Sequence, residues 1–210
     1  MPPFLRPAAL ALMLAATPLA AEPDLSPLRR AELSARLYAA GQAAGDALLV
    51  LAAARLRKTI APAPGGPAPA APEAPEGGAP LDWRAMLDAA AALAPGDPLI
   101  AGLIEDTRAE ADKGVLSGPI YGIAALSPGK ADLYEHIDFR GGEYAEVYVE
   151  AKKPTDMQLY VEDDRGRLVC SDTDKSHIAY CGWRPAETGR FTLRVENRGR
   201  MRSDYALMTN

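Results

Sequence analysis

Between residues 26 and 58 the apolar side chains fall at Leu33, Leu37 and Tyr38, then at Leu48, Leu49, Leu51 and Leu56. Spacings of three and four put each set along one side of a helix, so the stretch predicts two amphipathic helices. Gly45-Asp46 divides them: glycine tolerates the left-handed conformation that closes one helix, and the Asp46 carboxylate can cap the next. A helical hairpin over 22–60 is therefore expected. A second hairpin is expected over 81–114, opening at Leu81-Asp82-Trp83 and broken at Pro95-Gly96-Asp97-Pro98, where Asp97 is the N-cap and Pro98 the first helical residue. The Ala-rich helix followed by Gly-Asp recurs at an offset of 51 residues, the pattern of a duplicated hairpin.

Beyond Gly114 the period changes from 3.6 to two. Residues 115–131 read as a connecting loop through Gly118-Pro119 and Pro128-Gly129. In Tyr144–Ala151 the residues Ala145, Val147, Val149 and Ala151 share one face, with Tyr144, Glu146, Tyr148 and Glu150 on the other. Such alternation predicts a strand. Met157/Leu159/Val161 and Phe191/Leu193/Val195 repeat it, and Ile137/Phe139 and Tyr205/Leu207 bracket the region. Turn residues at Gly141-Gly142, Asp164-Arg165-Gly166 and Thr188-Gly189 separate the strands. Six or seven short strands over 132–210 imply an antiparallel, jelly-roll-like β-sandwich, and the chain as a whole a segregated α+β protein.

Residues 61–80 join the hairpins with seven prolines and no side chain larger than glutamate. Such a segment has little apolar surface to offset its ordering entropy, so it is expected to be a disordered Pro/Ala/Gly linker.

Within the β region, Asp138-Phe-Arg-Gly-Gly142, Asp156-Met-Gln-Leu-Tyr-Val-Glu-Asp-Asp-Arg-Gly166, Val169-Cys-Ser-Asp172, Pro185–Asn197 and Tyr205-Ala-Leu207 occur in a distinctive order. Over residues 132–209 this resembles the bacterial pre-peptidase C-terminal (PPC) β-sandwich domain. The resemblance implies an accessory or binding module without catalytic chemistry, of the kind appended to secreted peptidases and other exported proteins. No peptidase domain precedes it in this sequence, and the helical half resembles no family we can name.

Composition adds a compartment. Residues 1–21 carry one basic residue, Arg6, then an Ala/Leu/Met run ending Leu19-Ala20-Ala21 ahead of Glu22-Pro23-Asp24, the form of a secretory signal peptide cleaved after Ala21. Export leads to the periplasm or the exterior. Cleavage removes Arg6 from 23 basic residues and nothing from 28 acidic ones, leaving 22 against 28 and a net charge of −6. That balance disfavours nucleic acid as a partner, and after cleavage no segment reaches the length of a membrane span. Cys170 and Cys181 are the only cysteines and are expected to form a disulfide in an oxidising compartment, stabilising the fold by about 3 kcal/mol.

Candidate chemistry is sparse. Asp163, Asp164, Asp172 and Asp174, with Ser171, crowd two turns and are weak calcium candidates, since that ion prefers hard oxygen ligands. Arg165, Arg167 and Lys175 lie among them, and solvated turn residues are the simpler reading. His136 and His177 lie in no His-Glu-x-x-His arrangement, and no Gly-x-Ser-x-Gly is present, so no catalytic residue and no cofactor is assigned. Tyr144, Tyr148 and Tyr160, with Trp183, form a candidate interaction surface on adjacent strands, unless the helices cover it. Arg190, Arg194, Arg198, Arg200 and Arg202 read as a solvated basic face. The expectation is an exported, non-catalytic accessory protein that contacts another envelope or secreted protein. The alternative is a carbohydrate- or matrix-binding module assisted by calcium, and an unrecognised hydrolase is the remote third.

Overall fold

The computed structural model describes residues 25–77, 80–110 and 118–210. The expected signal peptide and the expected cleavage after Ala21 fall outside the described residues. Four helices come first, α1 (Pro27–Ala44), α2 (Ala47–Lys58), α3 (Trp83–Leu93) and α4 (Pro98–Ala109), with the two-residue strand β1 (Ala63–Pro64) between the pairs. Eight strands follow: β2 (Ile120–Leu126), β3 (Ala131–Phe139), β4 (Ala145–Ala151), β5 (Met157–Glu162), β6 (Leu168–Asp172), β7 (Ile178–Trp183), β8 (Gly189–Asn197) and β9 (Ser203–Thr209). The fold is α+β with its helical and β regions segregated.

The helix boundaries are set by local chemistry. Ser26, Asp46, Asp82 and Asp97 cap the four N-termini, each accepting from a backbone N–H of the first turn. The two interhelical turns share one design, with Gly45 and Gly96 at φ 67° and 78° and an aspartate cap next in sequence. The expected hairpins do not stand apart, because α2, α3 and α4 bury Val50, Leu51, Met86, Leu87, Ile100 and Ile104 in one shared cluster. Each hairpin is too small to bury its apolar stripe alone, and the second hairpin supplies the missing wall.

The strands form a five-stranded sheet in the order β1-β2-β9-β4-β7 and a four-stranded sheet in the order β3-β8-β5-β6. All pairs are antiparallel except β1 with β2. Val147, Val149, Leu159, Val161, Leu193, Val195 and Leu207 fill the space between the sheets. Each such side chain contributes roughly 1.5–3 kcal/mol by leaving water. The Cys170–Cys181 disulfide, Cα to Cα 5.9 Å, ties β6 of one sheet to β7 of the other.

Two expectations are corrected. Within residues 115–131, read as a connecting loop, Ile120–Leu126 is β2, paired along its length with β9. Its residues are apolar on both sides because Ala124 and Leu126 face the sandwich interior while Tyr121 and Ile123 pack beneath the helices. A strand covered on both faces loses the alternation by which strands are recognised. The linker is the second correction: residues 61–77 lie along the sandwich as an ordered strap. Ala63, Gly66 and Ala70 donate backbone hydrogen bonds to Pro119, Tyr121 and Leu133, Glu73 bridges Ala125, and Glu76 and Gly77 donate to the Asp204 carboxylate. Proline is already extended and has no N–H, so a Pro-rich segment loses little freedom on a sheet edge and strands few donors. Of its N–H groups, those of Ala63, Gly66 and Ala70 find carbonyls and those of Glu76 and Gly77 a carboxylate.

The sandwich core and the helical core meet across the outer face of the five-stranded sheet. There α1 lays Leu28, Ala31 and Ala35 on Tyr148, Ile178, Ala206 and Met208. Among the described residues no helix is long and apolar enough to cross a membrane.

Candidate functional site

The seam between helices and sheet is where the charged chemistry of the chain collects. Tyr148 and Glu150 point outward from β4 toward the helices, because Val147 and Val149 between and beside them point into the sandwich. Arg57 reaches them from α2, whose buried stripe runs Val50, Ala53, Ala54, Arg57 at helical spacing. Its guanidinium donates from Nη1 to Glu150 Oε2 at 2.8 Å and from Nη2 to Oε1 at 3.2 Å. Nε donates to Ser34 Oγ at 3.1 Å, which itself donates to the Ala53 carbonyl, and the Tyr148 hydroxyl donates to Glu150 Oε2 at 2.9 Å. The two charged side chains are only 5% and 6% exposed.

Burial acts to lower the Arg57 guanidinium, but the Glu150 charge beside it prevails and holds it above its ordinary value. Burial, reinforced by the same carboxylate, pushes the Tyr148 phenol well above its ordinary value, so it remains a donor. A desolvated ion pair with its hydrogen bonds filled is costly to break from one side, which makes this a lock between the layers. Further ties run along α1: Ser26 donates to Glu146, Tyr180 donates to the same carboxylate at 2.6 Å, and Arg29 lies 4.4 Å over the Tyr180 ring.

Beside the lock, helices and sandwich part to leave a cleft of about 680 Å³. Ala39 and Tyr38 of α1, Ala85 of α3, Leu81, and Ala151 and Ala206 of the sheet make its apolar walls. Glu150, Lys152, His177, Gln42 and Asp82 add polar groups. Burial holds the His177 imidazole below its ordinary value, so it is neutral at neutral pH. On the far side of residues 80–82 a smaller cavity of about 240 Å³ is lined by Arg57, Ile60, Tyr121 and Met208.

A second buried polar group lies inside the sandwich. Tyr134 of β3 and Tyr205 of β9 share a hydroxyl hydrogen bond of 2.7 Å, and Tyr205 donates to Asp132 at 2.6 Å. Burial raises Asp132 above the usual carboxylate range despite the Tyr205 bond. Every member has a partner, and the group joins the two sheets.

The candidate aromatic surface is not brought together. Tyr148 is fully buried beneath α1, and Trp183 stands in the core with Phe139 and Phe191 at centroid distances of 4.8 and 5.4 Å. Tyr160 lies on the outer face of the other sheet, its ring covered by Arg194 at 3.9 Å. Only Tyr144 is well exposed. Period-two alternation told which tyrosines share a side of a strand, but a sheet has two sides that can both be covered.

The acidic turn residues are likewise engaged. Asp163 accepts from the backbone of Arg165 and Arg167 and from the Arg167 side chain, whose hydrogen bond holds it below its ordinary value. Asp172 accepts from Tyr180 N and Asp174 N, while Asp174 pairs with Arg36 at 3.3 Å, and Asp164 borders a shallow hollow with Trp183. Among the described residues no three His, Cys, Asp or Glu side chains are placed to hold a metal ion. His136 occupies a bulge in β3 with φ 60°, and it is His177 that reaches the cleft. Of the five arginines read as a basic face, Arg194 and Arg198 pair with Glu196, and Arg202 holds Glu73 and Glu76 of the strap.

Sequence reading missed Arg57, Glu150 and Ser34 as a group. The signal was present in part: Arg57 continues the apolar stripe of α2, and Glu150 shares its face with Tyr148.

No protein-family model and no curated protein matches the chain. Among solved structures it resembles the pre-peptidase C-terminal domain of collagenase from Bacillus anthracis, at 14% identity and a TM-score of 0.37, covering 43% of this chain and 87% of that domain. It is also similar to the Yersinia pseudotuberculosis-derived mitogen, at 12% identity and a TM-score of 0.35 over 45% of this chain and 86% of the mitogen. A third is a carbohydrate-binding module from Cellvibrio mixtus lichenase 5A, solved in complex with cellotriose, at 8% identity and a TM-score of 0.27 over 40% and 72%.

Proposed function

We propose that this chain is an exported, non-catalytic binding module whose recognition element is the seam between its helical layer and its sandwich. The observation that carries the reading is the cleft of about 680 Å³ beside the Arg57–Glu150 lock. Its size falls in the range of roughly 300–1,000 Å³ that suits a small ligand, and its walls combine apolar surface with a few polar groups. The buried ionisable groups serve structure: Arg57, Glu150 and Tyr148 hold the layers together, and Asp132, Tyr134 and Tyr205 hold the sheets together. The disulfide suits an oxidising compartment, the periplasm or beyond. A protein of the envelope or the secreted fraction is the partner on whose behalf such a module would hold its ligand.

The test is capture from envelope extract by the oxidised protein, in calcium and in chelator, beside an Ala85→Trp variant that fills the cleft from the exposed side of α3. Material retained in chelator and lost from the variant supports the seam. Capture of glycan that needs calcium and ignores Ala85→Trp would overturn it.

A further inference from the structure

The strap is held in two different ways along its length. From Ala63 to Ala70 its ties are neutral: three backbone N–H groups donate to the carbonyls of Pro119, Tyr121 and Leu133, and Pro69 is buried. Gly66 sits so close to β2 that a Cβ there would stand 2.4 Å from the Tyr121 carbonyl carbon. From Glu73 to Gly77 the ties are charged. Glu73 accepts from Ser127 Oγ at 2.8 Å and from Arg202 Nε at 3.3 Å, and Glu76 accepts from Arg202 Nη1 at 3.1 Å. The Ala74 carbonyl accepts from Arg202 Nη2 at 2.6 Å, and the N–H groups of Glu76 and Gly77 donate to the Asp204 carboxylate at 3.0 and 2.8 Å. The backbone bridge from Glu73 to Ala125 is the one neutral tie of this half among the described residues.

One arginine therefore gathers the second half, and it does so only while its partners are ionised. Protonation turns a carboxylate from a charge-assisted acceptor into a neutral group that no longer balances the guanidinium. Arg202 and Glu73 are partly exposed and Glu76 is exposed, so water can replace each contact as it is lost. The Ser127 hydrogen bond, supported by Arg202, holds Glu73 below its ordinary 4.5. The Glu73 tie is thus complete above pH 4.5 and is lost as pH falls through the folded value. Lys153, with Nζ 4.0 Å from Glu76, and the Lys152 ammonium against Gly77 also face this segment. Lysine and arginine keep their charge in acid, so neutralising the carboxylates leaves three cations around the segment. Asp132 of β3 is the remaining neighbour: burial raises its carboxyl, and the Glu73 charge adds to the rise.

We infer that residues 73–77 are an acid-released latch: with Glu73, Glu76 and Asp204 ionised they clamp onto Arg202, and on protonation they lift away while residues 63–70 stay seated on β2 and β3. The opening is local, because β2 remains paired along its length with β9. It frees the backbone of β2 at Ala125 and moves the Glu73 side chain away from Asp132. The inference goes beyond the binding role proposed for the seam and does not rest on it.

The test is amide hydrogen exchange of the oxidised protein between neutral pH and about pH 3.5, corrected for the intrinsic pH dependence of exchange. Protection at the Glu76 and Gly77 N–H groups is expected to fall about tenfold over that range, while protection at Gly66 and Ala70 changes less than about twofold. This arm needs no substitution. Glu73→Gln/Glu76→Gln, which copies the protonated side chains, and Arg202→Gln, which removes the hub, should each lower protection at Glu76 and Gly77 about fivefold at neutral pH. In Arg202→Gln the Asp132 carboxyl, followed by carbon NMR, should titrate lower than in the parent, because the Glu73 charge has moved off. A segment still in place would leave Asp132 unchanged or higher, since only a cation has gone. The latch is overturned if Glu76 and Gly77 stay protected in acid, or lose protection only together with Gly66, Ala70 and the β2 amides. It is equally overturned if either variant is as protected as the parent at neutral pH, or if Asp132 fails to titrate lower in Arg202→Gln.

Discussion

Replacing Arg57 with methionine isolates the contribution of the lock. The substitution keeps an unbranched apolar stem in α2 and removes the guanidinium, leaving the Glu150 carboxylate 6% exposed with only the Tyr148 hydroxyl as donor. An uncompensated buried charge of this kind costs about 3–5 kcal/mol, a large share of the roughly 5–15 kcal/mol by which domains are stable. If the cost comes from the orphaned charge rather than from lost contact, removing the charge as well should restore most of it. The triple variant Arg57→Met/Glu150→Leu/Tyr148→Phe is then expected within about 1–2 kcal/mol of the parent. Urea unfolding supplies the assay with two built-in probes, because Trp83 reports on the helical cluster and Trp183 on the sandwich core. In the parent their transitions should coincide; in Arg57→Met the Trp83 transition should move to lower urea first. A loss below about 1 kcal/mol in Arg57→Met, or a triple variant worse than the single, would refute the reasoning.

Three further outcomes follow from the same contacts. Reduction of Cys170–Cys181, or the Cys170→Ser/Cys181→Ser pair, should lower stability by about 3 kcal/mol and act on the Trp183 transition, since the bond closes a loop of 11 residues between the sheets. A Cβ at Gly122 would run into the Pro67 carbonyl oxygen, so Gly122→Ala should release the strap, seen as faster hydrogen exchange at Gly66 N–H, which now donates to Tyr121. His177 has a folded-state pKa below its ordinary 6.5, so in the interval between the two values the unfolded chain binds the extra proton. Its contribution is complete above pH 6.5 and is lost as pH falls through the folded value. His177→Gln should flatten the stability profile in that interval.

Much of this architecture is legible in the chain. The caps at Asp46, Asp82 and Asp97 and the alternation of β4, β5 and β8 depend on neighbours a few residues away, and the cysteines are a pair with no competitors. Even the bulge in β3 leaves a trace, since Asp132 and Tyr134 point inward on one phase and Ile137 and Phe139 on the other. Local rules of period and turn chemistry suffice for such features.

The lock and the cleft are legible only in halves. Arg57 and Glu150 are 93 residues apart; Arg57 alone is a charge on an apolar stripe and Glu150 alone a carboxylate on the polar side of a strand, as compatible with a solvated face as with a buried pair. The strap reads as disordered because its own side chains bury little; its order comes from carbonyls on β2 and β3 and from Arg202 and Asp204, more than 120 residues away. Sequence by itself determined the four helices and the strands beyond Gly129, though not β1 or β2, and which side of most of them is apolar, because those depend on short-range geometry and on the preference of apolar groups for leaving water. The tertiary structure alone decided which outer face of the sandwich the helices would cover, that of the five-stranded sheet. That choice turned Tyr148 from a surface residue into a core one, brought Arg57 to Glu150, and left the cleft where the two layers fail to close.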